Sequence, residues 1–163
     1  MKGCLVSNTG PIIALALIDR LDVLQSIFQT ITIPEEVHRE LLEGGPSGHG
    51  LVRYQKAFWI KVQPLSSSID PLLMTVLDTG EASVVQLARE TKADYVLIDE
   101  RKGRKIARDI FGLKVIGTAR ILVEAKRKGL LNSVSAALRQ LKEAGYWIHD
   151  DIVRLALKEA GEK

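Results

Sequence analysis

Tyr95-Val96-Leu97-Ile98-Asp99-Glu100 is the stretch whose reading decides the fold. An unbroken apolar run rich in β-branched residues, closed by acids, reads as a short strand buried on both faces, the pattern of a central parallel strand. Just upstream, Asp78-Thr79-Gly80-Glu81 opens a segment with Val84, Val85, Leu87 and Ala88 at helical spacing. Just downstream, residues 100–110 return to a helical pattern, and Leu113-Lys114-Val115-Ile116 reads as a further strand. Helices alternating with apolar strands predict an α/β fold with a mostly parallel sheet flanked by helices.

The same alternation extends toward the N-terminus. Gly3-Cys4-Leu5-Val6-Ser7 reads as a buried strand ending at Asn8-Thr9, a helix N-cap, with Pro11 in the first turn of a helix that runs through Leu17. Leu21, Leu24, Ile27 and Phe28 form a second helical pattern. Ile31-Thr32-Ile33 is a strand cut by Pro34, which opens a helix with Val37, Leu41 and Leu42 at helical spacing. Gly44-Gly45-Pro46-Ser47-Gly48 is a break. A helix over 50–57, a strand Trp59–Val62, a loop at Ser66–Ser68 and a helix restarting at Asp70-Pro71 follow. Toward the C-terminus, Thr118 starts a helix to about Lys128, and helices near 133–144 and 150–160 close the chain. No repeat, low-complexity segment or linker interrupts the pattern, so residues 1–163 read as a single domain.

Composition agrees. Of 163 residues, 46% are hydrophobic and 26% charged, enough to fill a core without cross-links. The single cysteine, Cys4, excludes an intrachain disulfide and reads as a buried thiol in a reducing cytosol. Met1–Gly10 lacks the form of a secretory signal, and no run reaches the ~18 apolar residues of a transmembrane helix. A cytoplasmic location with no membrane contact is therefore expected. The net charge is +3, but residues 100–128 alone carry +7. Such a segment suits a polyanion such as RNA, although a solvated helix face rich in Lys and Arg has the same composition.

Sites in open α/β sheets form at the carboxyl ends of parallel strands. Asn8-Thr9 ends the first strand and Asp99-Glu100 the central one. Taken alone, Asp99 could equally cap the helix that follows it. Glu40 lies on the helix after the second strand, and Glu81 in the first turn of its own helix, where the helix dipole also favours an acid. One acid per βα unit is the kind of donor set that a hard cation such as Mg²⁺ uses. No phosphate-binding Gly-rich loop, dinucleotide fingerprint, zinc spacing or G-x-S-x-G elbow is present. His38, His49 and His149 are scattered and read as surface residues.

Four blocks carry a family resemblance: Ser7-Asn8-Thr9-Gly10-Pro11-Ile12-Ile13-Ala14-Leu15; Ile33-Pro34-Glu35-Glu36-Val37 with Glu40-Leu41; Asp78-Thr79-Gly80-Glu81-Ala82; and Leu97-Ile98-Asp99-Glu100-Arg101-Lys102-Gly103-Arg104. Gly117-Thr118, Ile121-Leu122, Ala125-Lys126 and Gly129-Leu130 extend it. In order and spacing the chain resembles one branch of the PIN-like proteins over nearly its whole length. The resemblance implies a Rossmann-like three-layer fold and a Mg²⁺- or Mn²⁺-dependent ribonuclease site. Many members are VapC-type toxins held in check by a small antitoxin, so a toxin–antitoxin pair and a homodimer are implied partners.

Carried over position by position, the catalytic acids would be Glu40, Glu81 and Asp99, with Glu100 as a helper. The metal set would be these four with Asn8, which stands where the wider family has an acid and where this branch often has Asn. An amide oxygen can ligate but brings no charge, which weakens metal binding. Arg101, Lys102, Arg104 and Lys105 follow the site directly and, with Thr9, are expected to meet RNA phosphates. The competing reading is a catalytically weak or inactive nucleic-acid- or protein-binding module of the same shape. A metal-dependent phosphatase would need a nucleophilic Asp after the first strand, and Asn8 argues against it.

Overall fold

A computed structural model describes residues 1–43 and 48–163; Gly44–Ser47 of the expected break, and the side chain of His49, lie outside the described residues. In chain order the elements are β1 (Cys4–Ser7), α1 (Thr9–Leu17), α2 (Asp22–Ile27), β2 (Thr30–Pro34), α3 (Glu35–Glu43), α4 (Gly48–Lys56), β3 (Ile60–Gln63) and α5 (Pro71–Val76). They continue as α6 (Thr79–Thr91), β4 (Tyr95–Leu97), α7 (Arg101–Asp109), β5 (Val115–Ile116), α8 (Thr118–Arg127), α9 (Val134–Glu143) and α10 (Asp150–Glu159).

The five strands form one sheet in the order β3-β2-β1-β4-β5, and every pairing is parallel. β1 is central, with Leu5 opposite Ile31 on one side and Tyr95 on the other. Parallel strands need crossovers, and the helices supply them on both faces, giving the three-layer architecture of a PIN-like fold. Because the chain winds outward from β1 in both directions, the order reverses between β1 and β4. Crossovers on the two sides of such a reversal leave a crevice at the carboxyl ends of the strands. The core strands have the composition this demands: Leu5, Val6, Ile33, Val96, Leu97 and Ile98 are all buried.

α6 explains why acids reach that crevice. Its inner face, including Val84, Val85, Leu87 and Ala88, is fully buried and packs on β1, β2 and β4. The helix ends at Lys92 in a left-handed conformation (φ 51°), and the chain enters β4 three residues later. The helix therefore runs antiparallel to the strands and places its N-terminus at their carboxyl ends.

Several expectations are corrected. Cys4 is exposed: it begins β1 at an open stretch of sheet surface shared with Thr30, Thr32, Lys61 and Gln63. Leu42 is 42% exposed, because Val37 and Leu41 already take the buried stripe of α3. Asn8 sits at the N-cap of α1, but its side chain makes no capping hydrogen bond. His38 is half-buried rather than on the surface, its Nδ1 2.5 Å from the Tyr54 hydroxyl. His149, by contrast, is exposed as expected, and its Nδ1 accepts from Asp151 N at the start of α10.

Candidate functional site

The crevice begins with a backbone hydrogen bond: Asn8 N donates to Leu97 O at 2.9 Å, fixing the ends of β1 and β4 side by side. One residue on, Thr9 Oγ1 donates to Glu40 Oε2 at 2.5 Å. This bond ties the first turn of α1 to the second turn of α3. The Glu40 carboxylate then lies against the first turn of α6, where a Cβ on residue 80 would stand only 2.1 Å from Glu40 Oε1. Gly80 is buried, and its missing side chain is the space that Glu40 fills. The helix dipole at this N-terminus favours the carboxylate.

Asp78 caps the same helix, its Oδ1 accepting from Glu81 N at 2.8 Å. Glu81 itself is only 6% exposed, and the Glu100 carboxyl at the start of α7 lies within hydrogen-bonding reach of it. Burial, followed by Glu100 and then the charge of Asp78, pushes the Glu81 carboxyl up to about 8. Near neutral pH it therefore holds a proton. α7 can come this close because residue 103 is glycine: a Cβ there would meet Ile98 at 3.3 Å and Glu81 at 3.7 Å.

Asp99 is engaged differently. Its Oδ1 accepts from Thr118 N at 2.7 Å, and its Oδ2 accepts from Thr118 Oγ1 at 2.6 Å and from the Tyr146 hydroxyl. It caps a helix, but α8 rather than the α7 that follows it in sequence. Burial and the Asp99 charge hold the Tyr146 hydroxyl protonated well above the usual phenol range. Behind it, Arg104 Nη1 donates to Ile98 O at 2.8 Å and fills the space beside Gly117, where a Cβ would stand 2.8 Å away.

The structure therefore brings Glu81 to Glu100, and Thr9 to Glu40, while Asp99 is held by Thr118 and Tyr146. Glu100 faces the buried Glu81, and Asp99 accepts hydrogen bonds from Thr118 and Tyr146. Gly80, Thr118 and Tyr146 were not foreseen as parts of the site. The Asp-Thr-Gly-Glu string held a signal for Gly80, since a glycine in a first helical turn often marks a close approach. Nothing local marks Tyr146, which arrives from a turn 47 residues beyond Asp99.

The basic segment divides. On α8, Arg120 pairs with Glu124 and Glu159, Arg127 with Glu124, and Lys126 with Glu162. On α7, Arg101, Lys102 and Lys105 are exposed, and among the described residues no ion pair engages them. Between these two helices, the charge available to a polyanion thus lies mainly on α7, beside the acids.

The donor set at the crevice is all oxygen, and among the described residues no cationic side chain pairs with Glu40, Glu81 or Glu100. Glu81 is buried while Glu40 and Glu100 are exposed at the crevice. Oxygen donors of this kind are those a hard divalent cation takes, and its charge would offset the burial of Glu81 and its repulsion with Glu100. Among the described residues no group of three or more His, Cys, Asp or Glu side chains is gathered closely enough to hold an ion as it stands.

A five-stranded parallel sheet with acids at its point of reversal defines a class of α/β domain whose chemistry is built on carboxylates. The chain belongs to the PIN-domain family: a family model described as a PIN domain matches residues 4–162. That membership carries a nuclease-type function that generally depends on a divalent metal. No curated protein matches the chain. No helix among the described residues is long and apolar enough to cross a membrane.

Proposed function

We propose that the chain is a Mg²⁺- or Mn²⁺-dependent endoribonuclease and the toxin of a toxin–antitoxin pair, working in the cytoplasm. The observation that carries the catalytic part is the buried Glu81, raised to about 8 by burial and by Glu100, at the carboxyl-end crevice between β1 and β4. Glu81, Glu100 and Glu40 would hold the cation, with Asn8 supplying a neutral oxygen and Asp99 setting the wall beside them. Bound there, such a cation stabilises negative charge developing on the phosphate under attack.

The chain's own groups do the rest. Thr9 fixes the Glu40 carboxylate, Gly80 admits it, and Asp78 fixes the first turn that presents Glu81. Arg101, Lys102 and Lys105 supply exposed charge for the phosphates flanking the cleaved bond. Arg104 is spent on Ile98 O and holds α7 in place. A small antitoxin protein and a second copy of the chain are the proposed partners. Trp147, Ile152 and Leu155, 72%, 39% and 56% exposed around the start of α10, support association through that region.

One observation favours a second reading. Asn8 in place of an acid, with the acids not gathered as an ion would need, suits a binding module that keeps the shape without the chemistry. A labelled RNA incubated with Mn²⁺ or with EDTA separates the two. Cleavage that requires metal and is lost in Glu81→Gln supports the enzyme. RNA binding without cleavage in millimolar Mn²⁺ supports the module.

A further inference from the structure

Beside the acidic crevice lies an apolar cavity of about 320 Å³. Ile13 and Leu17 of α1, Gly50, Leu51 and Tyr54 of α4, and Tyr146 after α9 line it. It shares its frame with the acids. Leu41, also in its wall, directly follows Glu40, and Tyr146 donates its hydroxyl to Asp99. Gly10, which follows Thr9, abuts the same Tyr146 hydroxyl, to which a Cβ would come within 3.0 Å. The hydroxyls of both tyrosines are already partnered, Tyr54 with His38 Nδ1 and Tyr146 with Asp99; Tyr54 is buried and Tyr146 half-buried in the cavity wall.

We infer that this cavity receives one unstacked nucleobase of a single-stranded RNA whose backbone lies across the acidic crevice, an inference that rests on the RNA-cleaving reading above. Its volume is at the lower end of the ~300–1,000 Å³ typical of ligand pockets, which suits one planar ring system. A docked helix would need a longer groove for anchors at successive turns. Single-stranded RNA is recognised by splaying bases onto aromatic side chains, and stacking is worth roughly 5- to 150-fold in affinity per base. The exposed cations of α7 begin one residue after Glu100, so a strand in the crevice has phosphate partners beside the acids and a base site on their apolar side. With few polar atoms in its walls, the cavity selects by ring size and stacking rather than by the hydrogen-bonding edge of the base.

The test is fluorescence anisotropy in EDTA with an unstructured RNA dodecamer and a fully abasic dodecamer carrying the same phosphates. Wild type is expected to bind the intact strand about tenfold or more tightly than the abasic one. Two cavity-filling variants remove that advantage. At residue 50 a Cβ meets only Ala16 Cβ, at 3.9 Å, so Gly50→Leu is accommodated in its helix; Leu51→Trp fills the cavity from a half-buried position. Both are expected to bind the abasic strand as wild type does, with the same salt dependence, and to lose the preference for the intact one.

Equal binding of the two strands by wild type overturns the inference, and this comparison stands even if a variant misfolds. A preference that survives both fillings overturns it too, and a change in oligomeric state by light scattering would then assign the cavity to a second copy of the chain. Cleavage of the intact dodecamer in Mn²⁺ is scored separately. Cleavage without base preference sinks the base site alone. Base preference without cleavage sinks the enzyme alone, and absence of RNA binding sinks both.

Discussion

The Glu40 carboxylate occupies the space where residue 80 would carry a Cβ, 2.1 Å from Glu40 Oε1. The two residues lie on different helices, and their contact brings the end of the exposed Glu40 side chain against the first turn of α6. Gly80→Ala should push the end of the exposed Glu40 side chain aside and break its hydrogen bond from Thr9, a loss of roughly 0.5–1.5 kcal/mol that about offsets the ~1 kcal/mol of helix propensity gained. In a Glu40→Ala background the same substitution should become stabilising. Urea unfolding of the four proteins measures the coupling; additive effects would show that the contact has no energetic weight.

Glu81 gives a pH dependence of opposite sign to the usual carboxylate. Its folded value of about 8 exceeds the unfolded value of 4.5, so the folded protein keeps a proton that the unfolded chain releases. Its stabilising effect is full below pH 4.5 and declines as pH rises through about 8. Glu81→Gln should therefore be more stable than wild type above pH 8 by ~1–3 kcal/mol, with the difference vanishing toward pH 4. Mn²⁺ should raise the wild-type Tm more at pH 8.5 than at pH 5 and leave the variant's Tm unchanged. Parallel Tm–pH curves for the two proteins would remove Glu81 from the site.

Asp99→Asn separates metal ligand from wall. With Thr118 and Tyr146 both donating to it, the amide should cost roughly 1–3 kcal/mol of stability. Tyr146→Phe removes one of these bonds and no carboxylate, so it should cost about 1 kcal/mol and leave Mn²⁺ affinity within a few-fold of wild type. Calorimetric titration with Mn²⁺ checks this. If Tyr146→Phe abolishes binding, Asp99 acts as a ligand through that hydrogen bond.

At the far end of the chain, Glu162 latches the tail. It accepts from Val134 N, Ser135 N and Ser133 Oγ at the start of α9 and pairs with Lys126 at 2.7 Å. Lys126 and these backbone donors hold its carboxyl down at about 2. The stability it contributes is present above pH 4.5 and lost as pH falls toward 2. Glu162→Gln should lose ~1–2 kcal/mol at pH 7 and match wild type near pH 2. Urea midpoints at the two pH values decide it.

Charge on α7 should show in salt dependence. Arg101→Ala with Lys105→Ala should lower the slope of log K against log salt by roughly 0.7 for each RNA phosphate left without its cation, without changing stability. Arg104→Ala should instead lower stability, since its guanidinium holds Ile98 O. An unchanged slope in the double variant would make α7 a solvated face.

The sequence by itself determined the alternation of strands and helices, because apolar period and cap chemistry are local properties. Tyr95–Ile98 reads as a strand that the structure forms over Tyr95–Leu97, and Asp70 and Asp78 mark helix starts that the structure repeats with their side chains capping. It also placed Glu81 in a first helical turn and Asp99 and Glu100 at a strand end, because those positions are set by the same local pattern. Which acid faces which was a matter of tertiary packing. Asp99 and Glu100 are neighbours at a strand end, and only the arrival of α8 and Tyr146 on one side and Glu81 on the other gives Asp99 its hydrogen-bond donors and sets Glu100 against the buried Glu81 carboxyl. The basic segment was overestimated for the same reason: net charge adds along a chain, but ion pairs with Glu159 and Glu162 form across α8, α10 and the tail. Cys4 carries no local sign of exposure, because whether a sheet face is covered depends on where helices from elsewhere in the chain come to rest.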